Sequence, residues 1–240
     1  MQRVPRFFMS SPSVVQDIVN YMVNVGVSNK NIRNLIIFSP SLFYRVKGRP
    51  QQIGNYLLTV IQKQQPNADV ISILPHMLRN DVKLFSRTVN EVSRNLKFLS
   101  ELGFEGENLV KIIRYCPSAL RIGTDFLQRR WDYLKERLVL NDKEVILFVT
   151  KYPRILTLAD EKIEDIFDFL FEKAGFQLQN IVKNPRLFER SRPHLEERLQ
   201  ILLEVKYKGD FIPMLTVWGK VFDQRIAKLK QMSDIKDRTD

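Results

Sequence analysis

The apolar positions of this chain recur in blocks about 35 residues apart. Each block ends in a small motif, in most cases a proline followed by a variable or basic residue and two apolar residues. The first residue of each motif, here called the anchor, is Pro5, Pro40, Val82, Pro117, Pro153, Pro185 or Gly219, with spacings of 35, 42, 35, 36, 32 and 34 residues. A period of this length is typical of stacked repeats rather than of one globular core.

Apolar residues also stand at fixed distances from the anchors. Four residues before an anchor are Ile36, Leu78, Ile113, Val149, Ile181 and Leu215. Seventeen residues after an anchor are Met22, Leu57, Leu99, Leu134, Leu170 and Leu202, and fourteen after are Val19, Gly54, Leu96, Trp131, Phe167 and Leu199. A three-residue offset marks one helical face. Each repeat is therefore predicted to contain a first helix that ends at the anchor, a tight connection and a second helix.

Local signals set the ends of these helices. Proline disfavours helical dihedral angles in the preceding residue, so the first helix should stop at the anchor. The second helix should begin at the capping residues Thr88, Thr124, Asp160 and Ser191, with Pro12 and Pro193 in first turns. Between repeats, glycine follows a helix at Gly26, Gly103 and Gly175, with Val139 in the same place of a fourth turn. Sustained alternation bounded by hairpin turns is not found, so the predicted class is all-α.

The repeats predict one helical domain over residues 1–232, an α-solenoid of about six to seven repeats, followed by a polar tail at 233–240. The motif at Pro5 has no first helix before it, so we expect that residues upstream belong to the same repeat. Residues 1–16 contain basic residues and serines like those of a transit peptide, but the repeat explains them better. A targeting segment would then precede Met1.

Composition limits the chemistry of the chain. The sequence has 240 residues, one cysteine and two histidines, so a disulfide framework and a zinc site of usual ligand spacing are not expected. Glycine-rich phosphate loops and common hydrolase motifs are also not found, which predicts a protein that is not an enzyme and needs no cofactor or metal. Apolar runs fall short of the roughly 20 residues that span a bilayer. Cys116, beside Pro117, is interpreted as a small filler at a helix end, with a reactive thiol as the alternative.

The formal net charge of +11 is unevenly distributed. Residues 1–100 contain 13 basic and 4 acidic residues, whereas the remaining 140 contain 25 and 23. The residue after the anchor is basic in five of seven repeats: Arg6, Lys83, Arg154, Arg186 and Lys220. Because the next two residues are apolar, these cations should protrude at the same place on every repeat and form a basic stripe for an anionic partner. Four cations near the ends of first helices extend it: Arg79, Arg114, Lys151 and Lys183.

Both charge patterns have a simpler explanation. Exposed turns often carry Lys or Arg for solvation, and cations near a helix C-terminus are favoured by the helix dipole. The aromatic residues Phe43, Phe85, Phe188 and Phe222 fall on the buried pattern and are predicted to lie in the core. Phe38, Tyr115 and Tyr152, near helix ends, either pack between repeats or stack on an unpaired base, and packing is favoured.

The period, the proline that closes the first helix and the turn Leu102-Gly103-Phe104 together resemble the mitochondrial transcription termination factor (mTERF) family. The motifs that carry the resemblance are KYPRIL (151–156), KNPRLF (183–188) and the segment 215–229. The resemblance implies a left-handed superhelix of helix triplets with a short 3₁₀ turn. It also implies a basic concave surface that binds mitochondrial double-stranded DNA or ribosomal RNA, with Arg186 and Arg154 at contacting positions. Val82, Gly219, Ser41 and Ser118 depart from the pattern.

The leading hypothesis is a monomeric nucleic-acid-binding protein of the mitochondrial matrix that binds double-stranded DNA and regulates transcription termination or initiation. Binding of ribosomal RNA during ribosome biogenesis is the first alternative. A second is a scaffold whose groove receives a protein partner, as helical repeats often do. A third is a protein that holds RNA while another face, near Trp131, Trp218 or the acidic helix at 161–172, meets a modifying enzyme. The sequence leaves these open.

Overall fold

The computed structural model describes residues 11–44 and 48–236, and the regular structure of these residues is entirely helical. The all-α prediction is confirmed. The fold divides into two compact units at Thr157 and Leu158, and each is described by itself. The single domain over residues 1–232 stays a prediction. The last helix continues to Lys236, past the start of the expected tail.

The first unit repeats a simple order of elements: a long helix, a short helical turn at the anchor, and another long helix. Its α-helices are α1 (Pro12–Asn24), α2 (Asn29–Phe38), α3 (Ser41–Tyr44), α4 (Arg49–Gln64), α5 (Val70–Asn80), α6 (Val89–Glu101), α7 (Gly106–Tyr115), α8 (Thr124–Leu138) and α9 (Asp142–Lys151). Three 3₁₀ turns lie at Val82–Ser86, Pro117–Leu120 and Pro153–Thr157.

The second unit continues the same order. Its helices are α10 (Asp160–Asp168), a π-helical segment (Phe169–Lys173), α11 (Leu178–Lys183), α12 (Arg192–Glu204), α13 (Phe211–Thr216) and α14 (Gly219–Lys236). A 3₁₀ turn spans Pro185–Glu189, between α11 and α12. The repeat of helix, short turn and helix predicted from the spacing is thus present in both units.

The helix is interrupted at the anchors in more than one way. At Pro117, Pro153 and Pro185 the 3₁₀ turn begins on the proline itself. At Val82 the turn forms without a proline, because the Asp81 side chain accepts a hydrogen bond from the Lys83 backbone N–H at 3.0 Å and caps it. At Gly219 the chain enters the long helix α14 directly. The two anchors that are not proline are therefore accommodated by a local cap and by a different connection.

The predicted apolar positions form the core. All six residues seventeen positions after an anchor are at most 1% exposed, and five of the six residues four positions before an anchor are buried, Ile36 being half-buried. The apolar pair of the motif is buried as well, as at Leu84 with Phe85 and at Leu187 with Phe188, except that Val221 of the last motif is exposed. The predicted core aromatics Phe43, Phe85, Phe188 and Phe222 are at most 3% exposed. Burying each such side chain stabilises the fold by about 1.5 to 3 kcal/mol.

The turn that follows a second helix is a left-handed C-cap. Gly103 has a φ of 94°, and its N–H and that of Phe104 donate to Ser100 and Leu99, the hydrogen-bond pattern of a Schellman motif. Gly26 has the same arrangement at the end of α1. Val139 adopts this conformation with a φ of 53° although it is β-branched, and Lys206 does so at 50° in a turn that the sequence did not indicate.

Two of the predicted N-caps are wrong by one residue. Thr124 and Asp160 are the first residues of α8 and α10, and the residues before them, Gly123 and Ala159, take the N-cap position. Thr88 caps α6 as predicted and forms a capping box with Glu91. Ser191 occupies the N-cap of α12 without a side-chain hydrogen bond. Capping residues mark the region of a helix start, because threonine and aspartate are also favourable in the first turn.

A buried amide joins neighbouring repeats in the first unit. Asn95 on α6 is 2% exposed, and its Nδ2 donates to the carbonyls of Ala119 at 3.0 Å and Ile122 at 2.6 Å. These carbonyls belong to the connection at the next anchor, which lacks the regular hydrogen bonds of a helix. Asn95 therefore holds the break of one repeat against the second helix of the repeat before it.

We expect that replacing Val139 by Gly stabilises the protein by about 1 kcal/mol, because glycine relieves the left-handed strain of a β-branched residue. Gly103→Ala should destabilise it by about 1 to 2 kcal/mol, since an added Cβ would lie 2.9 Å from the Ile146 Cδ1 at a positive φ. Chemical denaturation of both variants measures the two effects. The two variants should change the free energy of unfolding in opposite directions. A Gly103→Ala variant that is more stable than the natural protein would contradict this explanation of the turns.

Asn95→Ala should destabilise the protein by about 2 to 3 kcal/mol, because two carbonyls lose their donor in a buried position. The control is Asn90→Ala, an exposed residue of the same helix, for which we expect less than about 0.5 kcal/mol. Denaturation midpoints measure both. Equal effects of the two changes would show that Asn95 does not hold the neighbouring connection.

Candidate nucleic-acid interface

The structure places most of the predicted stripe residues on the surface. Lys83, Arg154, Arg186, Lys220, Arg79, Lys151 and Lys183 are exposed, and Arg114 is half-buried. Arg6 lies outside the described residues. The residues on either side of Arg154 and Arg186 are buried, as Ile155 and Pro153 are beside Arg154, whereas the neighbours of Lys220 are exposed. The packing of the turn thus turns the intervening cation outward, as the motif predicts, and a binding role for these residues stays a prediction.

Three of the predicted arginines come together in the first unit. Arg79 lies in the last turn of α5, Arg114 in the last turn of α7, and Arg154 in the 3₁₀ turn that follows α9. All three lie near His76, whose pKa is lowered by partial burial and then by the charges of Arg114, Arg79 and Arg154. We call Arg79, Arg114 and Arg154 the arginine cluster.

A hydrogen bond fixes the place of Arg154 in this cluster. Its Nη2 donates to the Oδ1 of Asn80 at 3.1 Å, although the two residues are 74 positions apart. Asn80 is the last residue of α5, next to Arg79. The bond therefore brings the turn after the anchor Pro153 to the end of the first helix that precedes the anchor Val82, and both side chains stay exposed.

Tyr115 provides an aromatic surface within the cluster. The guanidinium carbon of Arg114 lies 5.3 Å from the centre of the Tyr115 ring, a cation–π contact. The His76 ring meets the same tyrosine edge to face, with centres 5.5 Å apart. Tyr115 is 41% exposed, and the Nε of Arg114 is buried with no hydrogen-bond acceptor among the described residues. The arginine is thus oriented by the ring rather than by a carboxylate.

The aromatic residues at the ends of first helices differ in exposure. Phe38 is 75% exposed and Tyr115 is 41% exposed, whereas Tyr152 is buried at 7%. The expectation that packing explains these residues is right for Tyr152, one position before its anchor, and wrong for Phe38, which stands two positions before its anchor. Asn80, Tyr115 and Phe38 all stand two positions before an anchor and are exposed.

In the second unit some arginines serve the fold instead. Arg198 is 3% exposed, and its Nη1 donates to the carbonyls of Met214, Leu215 and Val217 at 3.2, 3.0 and 2.6 Å. Arg190 donates to the carbonyls of Thr216 and Val217. Both cap the C-terminal end of α13, where the anchor is Gly219. The two cations of this unit that follow an anchor, Arg186 and Lys220, remain exposed.

Two residues beside the arginine cluster, His76 and Asn80, were not predicted from the sequence. His76 stands on α5 one turn before Asn80, and neither follows an anchor. The signal for Asn80 was its position two residues before an anchor, which it shares with Tyr115 and Phe38. No comparable periodic signal marks His76.

The described residues contain no group of three or more His, Cys, Asp or Glu side chains that could hold a metal ion. In the same part of the chain, every helix is too short or too polar to cross a bilayer.

The cysteine beside the cluster is enclosed by hydroxyl groups. The Sγ of Cys116 lies 3.5 Å from the Oγ1 of Thr157 and 3.6 Å from the Oγ of Ser118, and these two hydroxyl oxygens are 3.2 Å apart. Burial raises the pKa of the Cys116 thiol, against the smaller opposite effect of these hydrogen bonds. The thiol joins the turns at Pro117 and Pro153 and has the structural role that the sequence favours.

Because Cys116 is buried with a raised pKa, we expect no reaction with a disulfide reagent such as dithionitrobenzoate in the native protein near pH 8. In denaturant the single thiol of the chain should react fully. Absorbance of the released thiolate measures both states, and the denatured sample is the control. Rapid reaction of the native protein would show that Cys116 is a reactive thiol instead.

The fold and the cluster define a class of protein: an all-α chain of repeats broken at an anchor, with cations presented at the breaks. A family model described as mTERF matches residues 1–222. The chain therefore belongs to the mTERF family, and the resemblance drawn from the motifs is confirmed.

Characterised relatives agree with this assignment. The chain is 26% identical over 243 residues to human "Transcription termination factor 1, mitochondrial", a match that covers 97% of this chain and 59% of the human protein. It is 24% identical over 189 residues to Drosophila melanogaster "Transcription termination factor 3, mitochondrial", covering 78% and 51%. A shorter match of 99 residues, 25% identical, joins it to "Transcription termination factor MTERF6, chloroplastic/mitochondrial" of Arabidopsis thaliana, covering 41% of this chain and 27% of that protein. The chain thus spans little more than half of the human and fly relatives.

Proposed function

We propose that this chain is a mitochondrial nucleic-acid-binding protein that acts in transcription, and that it works by binding rather than by catalysis. Family membership and the names of its relatives, which are mitochondrial transcription termination factors, support the role and the organelle. The compartment is the matrix, where mitochondrial DNA is transcribed. The preferred ligand is double-stranded DNA, bound by a monomer.

The observation that carries the proposal is the arginine cluster. Arg79, Arg114 and Arg154 come from three successive repeats, and each acts on His76 as a positive charge. A cation at the C-terminal end of a helix is ordinarily favoured by the helix dipole, and this explains the position of Arg79 and that of Arg114 separately. It does not explain why Arg154, outside a helix end, is held against Asn80 at the same place.

The cluster suits a phosphate backbone in its chemistry. A guanidinium group has five N–H donors in a planar fork that matches the oxygens of a phosphate. The bond from Arg154 to Asn80 uses one of these donors and leaves the others available. Several positive charges brought close without neutralisation attract a polyanion over a distance of about 10 Å at moderate salt.

Changing Arg154 to Glu should weaken binding of a duplex DNA probe by about tenfold or more, because one phosphate contact is replaced by repulsion. If about five phosphates are neutralised, the logarithm of the binding constant should fall with the logarithm of salt at a slope near −4.5, and the variant should lower this slope by about 1. Fluorescence anisotropy at several salt concentrations measures both quantities.

The matched control for this change is Arg129→Glu. Arg129 is an exposed arginine of the same unit, on the second helix α8 and away from any anchor. It changes the net charge equally, so it separates a local contact from a general effect of charge. Equal losses in the two variants, or a salt slope near zero in the natural protein, would contradict the proposal, and a parallel titration with duplex RNA tests the preference for DNA.

A further inference from the structure

His76 lies near all three residues of the arginine cluster but belongs to none of the patterns that predict it. It stands on α5 three residues before Arg79, so the two side chains share one face of the helix. Its ring meets Tyr115 edge to face at 5.5 Å between centres, and Arg114 lies over that same tyrosine. His76 is half-buried, so part of the residue is exposed to solvent.

The charges around His76 come from several elements. Those that act on the imidazole are Arg114 of α7, Arg79 of α5 itself and Arg154 of the turn after α9, all cations. Other charges on the elements packed against α5 are in part already paired, as Asp81 is with Arg121 and Glu107 with Lys111. The remaining charges on these elements are Arg49 and Lys63 of α4 and Lys83 of the following turn. The surroundings of His76 are therefore positive before any ligand binds.

We infer that His76 is a phosphate-binding residue of this cluster and that it takes up a proton when a phosphodiester binds there. The inference rests on the proposed function, because it needs a polyanion at the cluster. A phosphate that bridges the arginines neutralises the charges that face the imidazole. It also offers an anionic oxygen to the imidazolium N–H, a charge-assisted hydrogen bond.

The sign of the linkage follows from the charges. In the free protein, burial and the three arginines lower the pKa of His76 below its ordinary value, so the imidazole is neutral near pH 7. In the complex, the phosphate removes the repulsion and raises that pKa. Between the two pKa values the bound state holds one more proton than the free state, so affinity increases as pH falls.

The test is the pH dependence of binding to a fluorescein-labelled DNA duplex of about 20 base pairs, measured by anisotropy at constant salt. Between about pH 8 and pH 6, affinity should increase severalfold, with a limiting slope of tenfold per pH unit. His76→Gln keeps a polar side chain of similar reach but does not titrate, so its affinity should be nearly flat with pH. Far-ultraviolet circular dichroism confirms that the variant is folded.

The chain supplies a matched control in its other histidine, His194. His194 also has a lowered pKa, caused by burial and by Arg198 and Arg190, but it lies in the second unit among arginines that cap α13. His194→Gln should keep the pH dependence of the natural protein. A flat profile for the natural protein, or one that survives in His76→Gln, overturns the inference while leaving the proposed function intact.

A direct measurement completes the test. The imidazole signals of His76 in NMR spectra, assigned by comparison with His76→Gln, should titrate at a higher pH in the presence of the duplex than in its absence. An unchanged or lowered pKa on binding overturns the inference. If the natural protein fails to bind the duplex at every pH, both the inference and the proposed function fail, an outcome distinct from a pH-independent complex.

Discussion

The structure depends on one constraint, the interruption of helical hydrogen bonding at the proline anchors and Val82 of the described residues, together with burial of the apolar pair that follows. A helix break leaves backbone carbonyls without their usual partners, and the fold satisfies several of them from a neighbouring repeat. Asn95 does so for the connection at Pro117, and Arg198 does so for the end of α13. The break is therefore also the joint between repeats.

The same constraint produces the candidate binding surface. At Pro117, Pro153 and Pro185 the residues on either side of the post-anchor position are buried, so the side chain between them has only the outward direction left. A cation at this position loses little solvation free energy, because it remains in water. Repeats that share the motif therefore expose a cation at the same position. The Asn80 bond to Arg154 then brings together the end of one first helix and the turn of a later repeat. Packing and charge placement are thus two results of one local geometry.

Much of the fold could be predicted from the sequence, because its signals were periodic or conformational. The apolar positions around each anchor, the glycine turns and the core phenylalanines were of this kind, and they are buried or left-handed as expected. The N-caps of α8 and α10 were placed one residue too late, at Thr124 and Asp160, since a favourable first-turn residue resembles a cap. The connection at Gly219 also differs, because arginines of the preceding repeat cap α13 in place of a proline-initiated turn.

The candidate site was predictable only in part. The cations after anchors could be found one repeat at a time, but the meeting of Arg154 with Asn80 and His76 depends on how repeats stack, which no single motif encodes. Hydrogen–deuterium exchange with and without duplex DNA tests most directly whether the breaks form the binding surface. The account predicts protection concentrated at the ends of α5 and α7 and in the turn Pro153–Thr157. Protection confined to the second helices α6 and α8 would contradict it.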